Sequence, residues 1–485
     1  MRWHTYNEPF ERDLNIYAVI GHEMLEGREL YADLFDLKPP APYLTYAAAE
    51  LLVGYGPAQM FALGVGAAIA TLAGLYWTVL GITRDRGLGL LAAAFWTLIC
   101  SDMLLQANQP NTEVFVNAAM IWAFGLWATA QRPGVDVRRA LAIGALFAWA
   151  SFYKHVMIVP AGMLALAHVA LPPAGRLRCH AVVEVAVAAG VGAVAWLASF
   201  AWFAAAGHLD IYYQTIFSYS GEYSALHGGV LANLLNSLKP FLLVPEWLRF
   251  SLILMIPAVV AMFAGLRPPP QRVWLLWIAL AFGIYLTIAL PGRFEPHYYQ
   301  LWMPALVLGA SLACWQLKTA AWPRAANALA AVIAIVLVAH EAPSFAKSAD
   351  EWSVAKYGSV FVVTRDLALR LDELLRPGET FYEWGSEPGL YAVTGQRPIS
   401  GVLNMRFALR YGGTLQSQLT QRILSDLQRS PPDLIILAEV ALDRTSKDHP
   451  VLRWIVANYE AFEHFEFFHL AARRGSDLAR RHGQP

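Results

Sequence analysis

Apolar runs recur along this chain and leave little room for anything else. Stretches long enough to cross a bilayer core, which takes about 20 helical residues, lie near 57–81, 87–101, 113–131, 181–206, 246–265, 273–290, 300–316 and 325–342. A ninth run, 139–171, is too long for one crossing and is broken by Tyr153, Lys154 and His155, so it reads as two short spans meeting at a polar turn. Ten crossings follow. Within a bilayer only helices and closed barrels satisfy their backbone groups, and runs of this length predict helices. Charge agrees with that reading: 15% of the residues are charged, against about 25% in soluble domains.

The loops between the runs alternate in charge, which predicts orientation. One set carries Arg84 and Arg86, then Arg132, Arg138 and Arg139, then Arg176 and Arg178, Arg267 and Arg272, and Lys318 and Arg324; these are expected to be cytoplasmic. The other set holds only Lys154, Lys239 and Arg293 and is expected outside, together with residues 1–56 and the tail after 343. An outside start has no signal peptide to carry it across, which predicts a preceding span beyond this sequence and eleven in the parent chain. Balanced formal charge leaves no nucleic-acid footprint. Cys100, Cys179 and Cys314 form no CxxC pair and predict neither a disulfide framework nor a thiolate zinc site.

After residue 343 charges become frequent and the apolar runs shorten. "ETFYEW" (379–384) and "DLIILAE" (433–439) read as buried strands, and 361–375 and 415–429 as helices with polar faces. The expected division is a first extracytoplasmic loop with amphipathic helices (1–56), a transmembrane domain (57–343) and a small α/β domain (344–485) ending in a frayed terminus, "RRGSDLARRHGQP".

The polar clusters gather on the outer side. The first loop carries Arg12, Asp13, Asp33, Asp36 and Lys38; "NTE" places Asn111 and Glu113 at the mouth of a span; Lys154 sits in the polar turn; and "PGRFEPHYYQ" carries Arg293, His297 and Tyr298. Ionisable groups near lipid are costly, so their convergence suggests a site. Acids and cations on one face suit proton transfer beside a bound anion.

The segment "FERDLNIYAVIGHEMLEGRELYADLFDLKPPAPYLTYA" resembles the first extracytoplasmic loop of the GT-C glycosyltransferases of the family 39 type, related to protein mannosyltransferases and the lipid A aminoarabinose transferase. Arg12-Asp13, Gly27, Tyr31, Asp33, Asp36 and Lys38-Pro39-Pro40 carry the likeness. Asn111-Thr112-Glu113, Lys154, His297-Tyr298-Tyr299 with Pro304, and "FYEWGSEPGLYAVTGQRP" in the tail look like further landmarks, so the likeness spans nearly the whole chain. It departs in one place: relatives show Asp-Glu where this chain has Asp13-Leu14, so either Asp13 works alone or Asp33, Asp36 or Glu113 supplies the companion charge.

The resemblance implies a polytopic α-helical membrane protein of the GT-C fold with a small C-terminal α/β extracytoplasmic domain, set in the bacterial cytoplasmic membrane. It implies an inverting transfer of a sugar from a polyprenyl-phosphate donor to a hydroxyl acceptor. Such a reaction needs a carboxylate within hydrogen-bond reach of the hydroxyl and cationic donors for the leaving phosphate. Asp13 is the expected base with Asp33 or Glu113 orienting it, and Lys38, Arg293, His297 and Lys154 are the expected phosphate ligands. Arg12, Tyr31, Asp36, Asn111 and Tyr298 complete the candidate set.

Plainer roles compete for each. Asp13 is a natural N-cap for a helix starting near Leu14, as Asn111 and Glu113 are for the span that follows them. Asp33 and Asp36 flank a turn, Lys38 can snorkel to the interface, and Lys154, Arg293 and His297 can anchor loops. Glu23, Glu26 and Glu29 have the spacing of a solvated helix face. Some relatives of this superfold bind a divalent ion at paired acids, and Asp13, Asp33, Asp36 and Glu113 offer hard oxygen ligands. No His/Asp cluster at ligand spacing appears in the sequence, so the expectation leans to none. The competing function is a transporter or flippase for a lipid-linked or small anionic substrate. It would need charges inside the spans, where Glu184 stands nearly alone, and Gly/Pro-broken spans in matching halves, which are absent.

Overall fold

The computed structural model describes residues 3–219, 221, 229–243, 245–263, 271–409 and 413–482. Arg267, counted above among the loop cations, lies outside them. Every apolar run is helical. Two helices, α1 (Arg12–Leu25) and α2 (Ala41–Val53), come first. Next are α3 (Pro57–Thr83), α4 (Arg86–Ile99), α5 (Thr112–Ala128), α6 (Val137–Tyr153), α7 (Ile158–Ala170) and α8 (Arg178–Ala205). The last apolar helices are α9 (Pro245–Phe263), α10 (Gln271–Ala289), α11 (Trp302–Thr319) and α12 (Pro323–Phe345). The double-length run breaks at Lys154, where extended backbone and a single 3-10 turn, His155–Met157, separate α6 from α7. By length and composition α3, α8, α10 and α12 are each sufficient to cross a membrane.

Side-chain caps fix several starts. Asp85 accepts from the amides of Gly87 and Leu88 at the head of α4, and Asn111 accepts from the Thr112 amide at the head of α5. At the end of the bundle where α3 passes into α4, the loop cations meet one another's loops. Arg84 donates to Gln131 at 2.9 Å, Arg176 to the Arg132 carbonyl at 2.6 Å, and Lys318 pairs with Asp85. Glu184 is not alone there: it accepts from the Asp136 amide at 2.6 Å, pairs with Arg176, and meets His168, whose other nitrogen faces Arg272. Three buried partners, with Arg272 behind His168, surround a charge that looks isolated in the sequence.

The tail forms α13 (Ala349–Tyr357), α14 (Val360–Leu374), α15 (Gly413–Arg429) and a four-stranded sheet ordered β1-β2-β4-β3. The strands are β1 (Phe381–Trp384), β2 (Leu434–Ala438), β3 (Tyr459–Phe465) and β4 (Phe468–Arg473). β1 and β2 pair in parallel, with Phe381 opposite Leu434, which requires the long crossover that contains α15. β4 runs antiparallel to both β2 and β3. The two buried strands match the sequence reading. The hairpin β3–β4 was not foreseen, because Glu460, His464 and His469 interrupt its apolar pattern. The terminus is also more ordered than expected: Ser476 caps a last turn, Asp477–Arg481, and Arg481 pairs with Glu379.

One hydrophobic core runs from this sheet into the first loop. Leu14, Tyr17, Ile20, Tyr31 and Phe35 pack in the same cluster as Trp384, Leu390, Val402 and Phe407. Glu23, expected on a solvated face, is buried by that contact and pairs with Arg28 and Arg397 at 3.2 Å each. Glu26 and Glu29 remain exposed. The first loop is thus wedged between the helical bundle and the C-terminal sheet.

Candidate active site

A cavity of about 360 Å³ lies where these three parts meet. Its walls come from five segments far apart in sequence: residues 11–13, 36–39, 153–156, 287–301 and 404–407. Of the twelve sequence candidates, Arg12, Asp13, Asp36, Lys38, Lys154, Arg293, His297 and Tyr298 line it.

Helix α1 places Asp13. Glu11, not Asp13, is the N-cap, its carboxylate accepting from the Asp13 amide at 3.2 Å. Asp13 therefore sits in the first turn with its side chain available, and the amino-terminal end of a helix favours its negative charge. Lys38 Nζ lies 3.8 Å from Asp13 Oδ2, and both side chains are partly exposed to the cavity. Burial alone would weaken the Lys38 ammonium, but Asp13, then Tyr298, Glu113 and Asp36, hold it protonated by raising its pKa.

The position of Lys38 is set from behind by Tyr31. Tyr31 is fully buried in left-handed backbone, φ 68, and its hydroxyl donates to the Lys38 carbonyl at 2.7 Å. The rings of Phe203 and Tyr212 pack against it. Gly27, φ 87, makes the turn that ends α1 and starts this segment. The Gly27/Tyr31 spacing is thus a device for presenting Lys38; Tyr31 does not line the cavity.

Asp33 does not join the site. Its carboxylate accepts from the Glu29 amide at 2.9 Å, closing a turn on the far side of Tyr31. Glu113 is also absent from the walls. It is completely buried and ion-paired with Lys154, so it orients a cation rather than Asp13. Lys154 in turn stands 3.7 Å over the Tyr298 ring, a cation–π contact that aims it along the cavity wall. Asn111 lies one layer back, donating to Glu11 at 2.9 Å while it caps α5. Arg12 reaches the cavity edge with its guanidinium engaged by Glu387 and the Ser386 carbonyl, which ties α1 to the turn after β1.

His297 was expected as a cation. Burial lowers its pKa, with Glu113 opposing, so the ring is neutral at pH 7. Its Nδ1 faces Gln106 Oε1 at 3.1 Å. The cations lining the cavity are Lys38, Lys154, Arg293 and Arg406, with Arg12, paired to Glu387, at its edge. Arg406 was missed, since nothing in its local sequence separates it from the other arginines of the tail.

Glu11 was missed as well. Burial, reinforced by Asp13, pushes its carboxyl up to about 8. Asp36 is raised to about 6 by burial, while Lys38 and the hydroxyl of Tyr43, 2.7 Å away, oppose the shift. The acid accompanying Asp13 thus precedes the arginine instead of following the aspartate, and "FERD" holds the signal.

Asp13, Asp33, Asp36 and Glu113 do not assemble into a cation site: Asp13 faces Lys38, Asp33 a turn amide, Asp36 Tyr43 and Glu113 Lys154. Among the described residues two other sets of acids and histidines come within ligand reach of one another, Glu439/His464/His469 and Asp102/His340/Glu341. Sequence spacing concealed both, because their members come together only through the fold.

No family model matches this chain, and no curated protein matches it. The fold is similar to that of ArnT from Cupriavidus metallidurans bound to undecaprenyl phosphate, with a TM-score of 0.60 at 16% identity over 97% of this chain and 95% of that one. The same protein in the apo state gives 0.60 at 15% identity. The archaeal oligosaccharyltransferase AglB from Archaeoglobus fulgidus, in complex with an inhibitory peptide and a dolichol-phosphate, gives 0.52 at 12% identity over 96% of this chain and 71% of that one. At these identities the likeness shows the fold. This chain is a helical membrane protein with the GT-C fold.

Proposed function

We propose that the chain is an inverting glycosyltransferase that moves a sugar from a polyprenyl-phosphate donor to a hydroxyl acceptor at the outer face of the bacterial cytoplasmic membrane. The observation that carries this reading is the Asp13 carboxylate facing Lys38 inside a cavity whose walls also carry the cations Lys154, Arg293 and Arg406. ArnT and AglB, with the same fold, bind undecaprenyl phosphate and dolichol-phosphate.

In this reading Asp13 takes the proton of the acceptor hydroxyl as its oxygen bonds to the anomeric carbon from the face opposite the phosphate. The bond from that carbon to the phosphate oxygen breaks, and its electron pair leaves with the phosphate. Lys38, Arg293 and Lys154 receive the growing charge. No general acid is needed for such a leaving group. A second cavity, about 560 Å³ and lined by Leu44, Trp149, Phe152, Trp202 and Phe203, begins at Pro40, next to Pro39 of the polar one. It suits the prenyl chain. The ten apolar helices all cross the membrane, and the first loop and C-terminal sheet lie on the non-cytosolic side.

The test incubates purified full-length protein with a polyprenyl-phosphate sugar and follows released polyprenyl phosphate. Movement of the intact donor between leaflets without cleavage would support the transporter reading instead.

A further inference from the structure

Away from the cavity, loop 102–111 is held against the last apolar helix by three residues. Asp102 is buried at the start of the loop, and its Oδ2 lies 2.7 Å from His340 Nε2 on α12. Its other oxygen, Oδ1, accepts from the Leu105 amide at 2.6 Å, which fixes the carboxylate orientation. Glu341 follows His340 and is 3% exposed; no donor group among the described residues reaches its oxygens, and its polar neighbour is the Asp102 carboxyl, which it can hydrogen-bond only if one of the two acids keeps a proton. One ligand atom from each of Asp102, His340 and Glu341 falls within 4.8 Å of the others. Two acids facing each other in a buried site repel, and a buried carboxylate without a donor is expensive. The His340 ring nitrogen reaches Asp102 and not Glu341, so without a cation the two acids must hold a proton between them.

We propose that Asp102, His340 and Glu341 bind a divalent transition-metal ion, zinc or manganese, that clamps loop 102–111 to α12. A cation among the three groups meets all the unsatisfied demand at once. Two carboxylate oxygens and one imidazole nitrogen make a mixed hard and borderline set, which favours zinc or manganese over calcium or magnesium. Binding requires His340 to present an unprotonated ring nitrogen to the ion, and Asp102 keeps its Leu105 amide as the outer contact that orients a metal ligand. The clamp also bears on the cavity at a distance, because the same loop carries Gln106 to His297 and Asn111 to Glu11.

Metal content tests this independently of any transferase activity. The purified full-length protein, carrying His464→Ala and His469→Ala so that the trio on the β3–β4 hairpin does not contribute, is dialysed and its metal measured. About one zinc or manganese ion per chain is expected to be retained or taken up from the chloride salt. A chelator should lower the melting temperature, and the metal should restore it in a concentration-dependent way. His340→Ala and Glu341→Gln should each weaken uptake by roughly 100-fold or more. Absence of both uptake and thermal response in the parent overturns the proposal without touching the transferase reading. So does a Glu341→Gln protein as stable as the parent with uptake unchanged. Calcium or magnesium outcompeting zinc and manganese overturns the assigned class of ion.

Discussion

Asp13 and Lys38 face each other at 3.8 Å in one cavity, although one belongs to the first turn of α1 and the other to the segment entering α2. The pairing keeps the ammonium protonated and leaves the carboxylate reachable by an acceptor hydroxyl. Asp13→Asn retains the shape and removes the base, so released polyprenyl phosphate should fall by about 10²–10⁴-fold. The Asp13 side chain is a third exposed, so the melting temperature should barely move. Unchanged transfer would remove Asp13 from the chemistry.

Tyr31 holds Lys38 through its backbone, and Tyr31→Phe deletes only the hydroxyl. The Lys38 carbonyl loses its donor in a buried setting, which costs about 1–3 kcal/mol. Since Lys38 is placed by this bond, transfer should fall by about tenfold in kcat/KM even at temperatures where the variant is fully folded. Kinetics together with a thermal melt separate the two effects. A variant with parental kinetics would reduce Tyr31 to packing.

Most helices were legible because an apolar run of bilayer length admits few other structures, and even the break at Lys154 was visible as a polar interruption. The site was legible in part. Asp13, Lys38, Lys154, Arg293 and His297 could be grouped because each opens or closes a polar loop of the same set. Asp33 was misplaced for a local reason: a one-residue left-handed kink at Tyr31, with a bulky side chain, turns the following carboxylate away from Lys38. Glu11, Arg406 and the Asp102/His340/Glu341 trio owe their surroundings to contacts between segments about 100 to nearly 400 residues apart, which no local pattern encodes. The neutral state of His297 likewise depends on burial, which only the fold supplies.

Glu11 makes stability depend on pH in a definite direction. Its carboxyl moves from an ordinary 4.5 in the unfolded chain to about 8 when folded, through burial first and the neighbouring Asp13 second. The folded protein therefore holds a proton that the unfolded chain releases between those values. This contribution is whole below about pH 4.5 and is lost as pH rises through about 8. Its slope is at most about 1.4 kcal/mol per pH unit. Glu11→Gln should flatten that part of the melting-temperature profile between about pH 5 and pH 9. An identical profile would show that Glu11 does not titrate in this way.

Gly401 marks the contact between the C-terminal domain and the first loop. A Cβ there would lie 1.8 Å from the Asp33 carbonyl oxygen, while the Gly401 carbonyl accepts from the Phe35 amide at 2.9 Å. The constraint is space. Gly401→Ala should destabilise by about 1–3 kcal/mol or more, since backbone must give way on one side. Gly395 supplies the contrast, with φ 66 and open space around its α-carbon, so Gly395→Ala carries only the conformational cost of about 1 kcal/mol. Thermal melts should rank the two in that order, and the reverse order would mean that the two parts are not docked as described.

Glu113 and Lys154 decide whether their ion pair serves folding or chemistry. Glu113 is fully buried and the Lys154 side chain is 11% exposed, so removing one partner leaves the other charge in a poorly solvating place. Glu113→Gln alone should cost about 3–5 kcal/mol, and so should Lys154→Met. The double variant removes both charges and should recover most of that loss, because buried ion pairs are seldom better than apolar replacements of similar volume. Transfer should not recover with it, since the leaving phosphate then lacks the Lys154 ammonium. A double variant that regains both stability and full transfer would make the pair purely structural and leave the phosphate to Lys38, Arg293 and Arg406.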